Sequence, residues 1–163
     1  MDDLKRELVD LLVEDARLPT EDLARMVDAS EDEVERAVGE LEDSGVVAGY
    51  QAVVDWSEVT DDHVEAYVEV NVSLDRETNY DEISRRIAGF PEVRRLTLVS
   101  GNYDFGLVVV GDSMNEVSRF VSDKVAPIPE ITQTVTHFVM ETYKDGGLVF
   151  DDAVDDDRLS ISP

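Results

Sequence analysis

Apolar residues recur at helical spacing through the first 45 positions and switch to alternation after residue 63, so the chain reads as a helical head followed by a mixed body. Leu4, Leu8, Leu11 and Leu12 stand at i, i+4, i+7 and i+8, which predicts an amphipathic helix to about Asp15. Arg17-Leu18-Pro19 breaks it. Thr20 to Val27 is then a short helix, Asp28-Ala29 a turn, and Ser30 to Ser44 a second helix closed by Gly45. Ser30 and Glu33 make a capping box, and Val34, Ala37, Val38 and Leu41 fall on one face behind it. Val46-Val47, Tyr50 and Ala52-Val53-Val54 read as extended chain. Three helices followed by a β element make a winged helix-turn-helix, whose second helix is the one that enters a DNA major groove.

Beyond a polar connection from Trp56 to Asp62, the period changes to two. Val64, Ala66, Val68, Val70 and Val72 alternate with polar or aromatic residues, as in a strand with one dry face. Residues 78–89 return to helical spacing and end at Gly89 ahead of Pro91. Val93 to Ser100 and Phe105 to Val110 are strands joined by Gly101-Asn102-Tyr103-Asp104, Ser113 to Val121 is a helix, and Ile131 to Tyr143 a last long strand. The order β-α-β-β-α-β is the ferredoxin-like split arrangement. The fold class expected is therefore α+β, with domains at 1–54 (winged helix-turn-helix), 63–147 (ferredoxin-like) and a linker at 55–62. Trp56 opens that linker and is expected to pack the head against the body. Residues 148–163 form an acidic tail that adds a short strand at Leu148-Val149-Phe150. Both faces of the last strand, Ile131/Gln133/Val135/His137 and Thr132/Thr134/Thr136/Phe138, are too apolar for water, and a second copy of the chain is the simplest cover.

Charge changes the picture of the head. The chain carries 39 acidic residues against 14 basic ones, a formal net charge of −25, and only three of the bases are lysine. The second helix of the pair has seven acids (Glu31, Asp32, Glu33, Glu35, Glu40, Glu42, Asp43) against Arg36, a net −6. Phosphate should repel such a surface in dilute buffer. The acid is spread along a chain of ordinary apolar content, 42%, as expected of a protein that lives in molar salt, where screening shortens to roughly 3 Å at 1 M; the alternative is an acidic mesophilic protein. Cysteine is absent, so no thiolate metal site or Cys nucleophile is expected. Met1-Asp2-Asp3 opens no apolar leader and no stretch is apolar enough to span a bilayer, so a soluble cytoplasmic protein is expected.

The chain resembles the leucine-responsive regulator/AsnC family, the feast/famine transcription regulators. The matching pieces are Leu-Val-Asp-Leu-Leu-Val-Glu-Asp-Ala-Arg (8–17), Asp-Leu-Ala-Arg-Met-Val (22–27), Leu41-Glu42-Asp43-Ser44-Gly45-Val46-Val47 into Gly49-Tyr50, Ser100-Gly101-Asn102-Tyr103-Asp104-Phe105, and Thr134-Val135-Thr136 to Lys144. They span roughly residues 2–145. The chain departs from the family pattern at Asp28-Ala29 and at Ala37, and in the acids of its second helix. The resemblance implies a homodimer or larger assembly with facing β-sheets, heads that read promoter DNA, and a small effector, commonly an amino acid, bound near the Gly-x-Tyr-Asp turn at the subunit interface.

On the residues alone, Gly101 to Asp104 is a plain hairpin turn. With the resemblance it becomes an effector site. Asp104 would hold an α-ammonium, the turn N–H groups of Gly101, Asn102 and Tyr103 with Ser100 would hold an α-carboxylate, and Thr134 and Thr136 offer hydroxyls on the same sheet. By position, Ser30, Glu31, Asp32, Glu35, Arg36 and Gly39 face the groove, with Arg36 the best contact for guanine or phosphate. The two histidines, His63 and His137, have no metal-ligand spacing, and nucleotide loops and nucleophile elbows are missing, so no metal, cofactor or catalytic residue is expected. Arg85-Arg86 and Arg94-Arg95 are expected to pair with neighbouring acids. Two functions remain: an effector-responsive DNA-binding regulator, or a sensor or interaction module that keeps the helix-turn-helix frame without binding DNA. An enzyme on this plan, like the siroheme decarboxylases, would need a basic, His-bearing pocket, and no such cluster is visible.

Overall fold

The computed structural model describes residues 2–74 and 79–150. It divides into two compact units, Met1–Ala52 and Val53–Pro163.

The first unit is three helices: α1 (Asp3–Glu14), α2 (Thr20–Met26) and α3 (Glu31–Asp43). Their apolar stripes meet in one core of Leu8, Leu23, Ala24, Val34, Ala37 and Leu41. Asp2 caps α1 by accepting from the Lys5 N–H at 2.9 Å. Asp28 turns the chain between α2 and α3 with φ +53°, a left-handed position that Asp tolerates better than most residues. Gly45, at φ +72°, ends α3, and the Val47 N–H returns to the Leu41 carbonyl. The expected wing differs. Residues 46–55 carry no ladder, because no second extended segment of the unit runs beside them to take their hydrogen bonds.

The second unit is a four-stranded antiparallel sheet in the order β2-β3-β1-β4, built from β1 (Val64–Val72), β2 (Val93–Leu98), β3 (Phe105–Gly111) and β4 (Ile131–Phe138). Helices α4 (Tyr80–Ala88) and α5 (Met114–Phe120) supply the crossovers. One face of the sheet is the core: Ala66, Val68 and Val70 of β1 and Phe105, Leu107 and Val109 of β3 pack on Ile83, Ile87, Val117 and Phe120 of the helices. Register puts Arg95, Val108, Tyr67 and His137 in one row across the opposite face, and Thr97, Gly106, Glu69 and Val135 in the next. No described helix or strand of the unit covers that face. β4 stops at Phe138, opposite Ala66, instead of Tyr143: the Val139 N–H makes one more bond, to the Glu65 carbonyl at 2.9 Å, and β1, which begins at Val64, does not extend far enough to pair the chain as far as Tyr143.

After β4, β5 (Lys144–Asp145) and β6 (Leu148–Val149) form a hairpin over Gly146-Gly147, both in the left-handed region. The expected Leu148-Val149 strand is thus present. Val53 packs on Gly146, where an added Cβ would lie 2.6 Å from its Cγ2. Trp56 stacks on His63, ring centroids 4.4 Å apart, so its partner lies inside the second unit. No described helix is long and apolar enough to cross a membrane.

Candidate functional site

Two regions carry the residues singled out by sequence. In the head, Ser30 sits at the N-cap of α3. Its hydroxyl accepts from the Glu33 N–H at 3.4 Å, and the Glu33 carboxylate takes the Ser30 N–H at 3.0 Å and its hydroxyl at 2.6 Å. Those bonds, the hydroxyl foremost, hold the Glu33 carboxyl below its ordinary value. With Val34, Ala37 and Leu41 turned inward, Glu31, Asp32, Glu35 and Arg36 are exposed on the outer side. Among the described residues Arg36 makes no ion pair. Gly39 is not required by packing, since a Cβ there would meet nothing within 4 Å. At the far end of α3, Glu40 pairs with Lys5 at 2.6 Å and Glu42 accepts from the Tyr50 hydroxyl at 2.8 Å.

In the second unit, the turn of residues 100–104 straddles the end of the sheet and is tied to β1 four times. The Asp104 N–H donates to the Val70 carbonyl at 2.9 Å, continuing the ladder by one step. The Asp104 carboxylate accepts from the Val72 N–H at 2.8 Å and from the Tyr80 hydroxyl at 3.1 Å. Asn71 Nδ2 donates to the Asn102 carbonyl at 2.9 Å. Tyr103 turns to the open face, where its hydroxyl lies 2.7 Å from that of Tyr67. That bond, with burial second, pushes the Tyr67 phenol up to about 12. Asp104 likewise raises the Tyr80 phenol, chiefly by its hydrogen bond. Ser100 and Gly101 are exposed, and a Cβ at Gly101 would meet nothing within 4 Å.

Thr134 and Thr136 are not brought to this turn. They lie opposite Val70 and Val68, on the helix-facing side of β4, with the whole of β1 between them and β3. Adjacent strands are about 4.8 Å apart, so two spacings, roughly 10 Å, separate them from the turn's strand. Tyr67, Asn71 and Tyr80, which do hold the turn, were not singled out by sequence. They lie 36, 31 and 24 residues from their partners, and only the strand register brings them there. Of the four clustered arginines only Arg86 meets a carboxylate among the described residues, Glu130 at 3.6 Å. Arg94 falls at the register shift of edge strand β2 and Arg95 follows it, an arrangement that discourages pairing with another edge. The described residues contain no cluster of three metal-ligating side chains.

Both units match known families. Residues 1–42 match the AsnC-type helix-turn-helix domain, and residues 65–149 match the Lrp/AsnC ligand binding domain. The chain belongs to the Lrp/AsnC family of transcription regulators. It is 38% identical to the uncharacterized HTH-type transcriptional regulator YugG of Bacillus subtilis, over 96% of this chain and 95% of that one. The leucine-responsive regulatory protein of Rhizobium meliloti is 28% identical over 89% of this chain and 92% of its own. Among solved structures, the regulator NMB0573 of Neisseria meningitidis in complex with L-Met superposes with a TM-score of 0.68, at 23% identity, covering 89% of this chain and 93% of that chain. Members of the family are transcriptional regulators, and the relatives of this chain come from both bacteria and archaea.

Proposed function

We propose that this regulator works as a homodimer or larger assembly that binds promoter DNA through α3 and an α-amino acid at the Ser100–Asp104 turn. One observation carries the DNA part. α3 is capped, its inner face is fully used by the head's core, and its outer face is left unpacked as a reader helix requires. Relatives named for leucine or solved with L-Met support the choice of an amino acid. The turn supports it too. A carboxylate has about four lone-pair positions, and the Val72 N–H and the Tyr80 hydroxyl use two of those of Asp104, leaving an oriented anion for an ammonium. Exposed Ser100 and the turn N–H groups are the counterpart for the carboxylate. Assembly is assigned to the open sheet face around Val108, Tyr67 and Val135, and the cell interior to the protein as a whole.

The acidic outer face sets the working conditions. Near 0.1 M salt, charges act over ~10 Å and the net −6 of α3 repels phosphate; at 1 M the range falls to ~3 Å. Base-edge contacts then remain, Arg36 to guanine and the glutamates to cytosine N4, with bound cations bridging carboxylates to phosphates. We therefore assign the protein to a halophilic cell interior. The test is fluorescence anisotropy with the protein's own promoter across KCl concentrations. Binding should be undetectable near 0.1 M and appear at 1–3 M, opposite to the fall with salt of a basic reader, and Arg36→Ala should abolish the specific shift. No binding at any salt, with the folded assembly confirmed in the same tube, would establish the alternative, a sensor or interaction module that keeps the frame alone; the acidity of α3 is what favours it.

A further inference from the structure

The hydroxyl pair Tyr67–Tyr103 stands apart from the ladder bonds of the turn, because among the described residues it is the one tie made entirely by side chains on the open face. Its geometry depends on a third residue. Gly106 lies on β3 one row from Val108, the register partner of Tyr67, and the Tyr67 ring leans across it toward Tyr103. A Cβ built on Gly106 would overlap the Tyr67 hydroxyl and stand 2.9 Å from its Cζ and 3.3 Å from its Cε2. The seat is therefore vacant of side chain because a ring occupies it. The two rings meet edge-on, centroids 6.2 Å apart at 75°, so the hydroxyls touch without the rings stacking.

We propose that Tyr67 is a positioning residue for the effector turn: seated on Gly106, it holds Tyr103 and so keeps the backbone of residues 100–104 in its ligand-competent form. The inference deepens the effector reading above and rests on it. The physical step is one of populations. A ligand's apparent affinity falls by the fraction of protein in the competent form. One neutral hydrogen bond is worth roughly 0.5–1.5 kcal/mol, a factor of about 2 to 12, so losing it lets the turn stray and weakens binding by that factor at most. Ser100, Gly101 and Asn102 are exposed, and besides the Tyr67–Tyr103 pair only the Asn71 amide, at 2.9 Å from the Asn102 carbonyl, is left among the described residues to resist this. Asp104 stays anchored to β1 through its N–H and carboxylate, so the effect is on the position of the preceding turn and not on its existence.

The test uses the full chain. Calorimetry against the twenty L-amino acids in high salt identifies the tightest, and that one becomes the probe. Tyr67→Phe keeps the ring on its seat and removes only the hydroxyl; it should weaken the probe about three- to tenfold and lower the melting temperature by about 2–12 °C, leaving the protein folded at the assay temperature. Tyr103→Phe should do the same, and the double variant should be no weaker than either single one, the non-additivity expected of two groups that act only through each other. Gly106→Ala should reproduce Tyr67→Phe, since the far end of the tyrosine can swing off the new methyl group. Residue-resolved NMR of the ring Cζ should then show the Tyr67 phenol falling from about 12 toward the usual tyrosine range in both Gly106→Ala and Tyr103→Phe. Wild-type affinity in Tyr67→Phe and Gly106→Ala would overturn the positioning role while leaving the effector site standing. A wild-type protein that binds none of the twenty would overturn the effector reading and this inference with it.

Discussion

Replacing Asp104 separates two roles that its carboxylate combines. In the structure it accepts from the Val72 N–H at 2.8 Å and from the Tyr80 hydroxyl at 3.1 Å, both in half-buried surroundings. Asp104→Ala leaves both donors without their acceptor. Hydrogen bonds to a charged group contribute about 1.5–3 kcal/mol when intact, and an unpaired donor costs about 1–3 kcal/mol. Partial access to water lowers both figures, so about 2 kcal/mol for the pair is the working value. For a domain of roughly 100 residues, each 1 kcal/mol moves the melting temperature by about 4–8 °C, so Asp104→Ala should lower it by about 8–16 °C. Asp104→Asn is the informative control. Its amide oxygen still accepts from Val72 and its NH2 can donate to the Tyr80 oxygen, so both contacts survive while the charge is gone. The asparagine variant should melt within a few degrees of wild type yet bind an amino acid more than tenfold more weakly, because the ammonium has lost its counter-charge. Calorimetry and thermal melts in the same high-salt buffer read both quantities. An alanine variant as stable as wild type would show that the two bonds contribute nothing net. An asparagine variant of unchanged affinity would show that Asp104 shapes the turn and touches no ammonium.

Three further outcomes follow from the same structure. Circular dichroism across a KCl series should show structure lost between molar and about 0.1 M salt, since the net charge of −25 repels itself over a longer range; a melting temperature unchanged from 0.1 to 3 M would remove the halophilic premise. Val108→Asp, in the middle of the open face, should convert the assembly to monomers on light scattering without loss of secondary structure, and an intact dimer would assign association elsewhere. Glu33→Ala should flatten the acid side of the head's stability profile: the folded carboxyl titrates below its unfolded value, so its contribution is present above about pH 4.3 and is lost as pH falls through the lowered value. An identical pH profile in wild type and variant would mean that the capping box carries no linkage.

The elements were legible because their signals are local. A stripe at spacing three and four predicts α1 and α3, and the alternation from Val64 to Val72 predicts β1 and its dry face, whatever the rest of the chain does. Caps are local as well, and Ser30 with Glu33 shows both reciprocal bonds. Two expectations needed partners and missed for that reason. Residues 46–54 have the composition of a strand but no neighbour to form a ladder, and β4 has the pattern to reach Tyr143 but β1, which begins at Val64, is too short to pair it that far. The candidate site was half legible for the same cause. Gly101 to Asp104 could be found as a turn, but which side chains reach it depends on register, which no spacing in one strand reveals. Thr134 and Thr136 share the sheet with the turn yet face the helices one strand too far away, while Tyr67 and Asn71, in a strand chosen only for its valines, hold it in place. Gly106 was the available clue: a glycine inside a run of apolar strand residues signals that something approaches closely.

The acids of the head can be understood by asking what the fold leaves free. Its core is Leu8, Leu23, Ala24, Val34, Ala37 and Leu41 with half-buried apolar residues such as Leu4, Leu12 and Val38 packed around them, so the identity of the outward charged residues is not set by packing. Residues 1–52 nonetheless hold 16 acids against 5 bases. At the start of α3, Glu31, Asp32 and Glu33 suit the positive end of the helix dipole. At its other end Glu40, Glu42 and Asp43 oppose the dipole, with no basic residue in the last turn, at roughly 0.3–1 kcal/mol each in dilute buffer. The structure offsets two of these three, by Lys5 on Glu40 and the Tyr50 hydroxyl on Glu42. Only the second partner is neutral and insensitive to salt. A helix that needs only a fold gains nothing from this arrangement. Molar salt removes most of its cost, since the dipole and the like charges are both screened within a few ångströms. The same solvent that stabilises α3 is then the one in which its outer face can approach phosphate, so folding and DNA binding should rise together along the salt axis. A head that folds fully at 0.1 M KCl and yet binds DNA only above 1 M would break that link and leave the bridging cations as the sole reason for the acids.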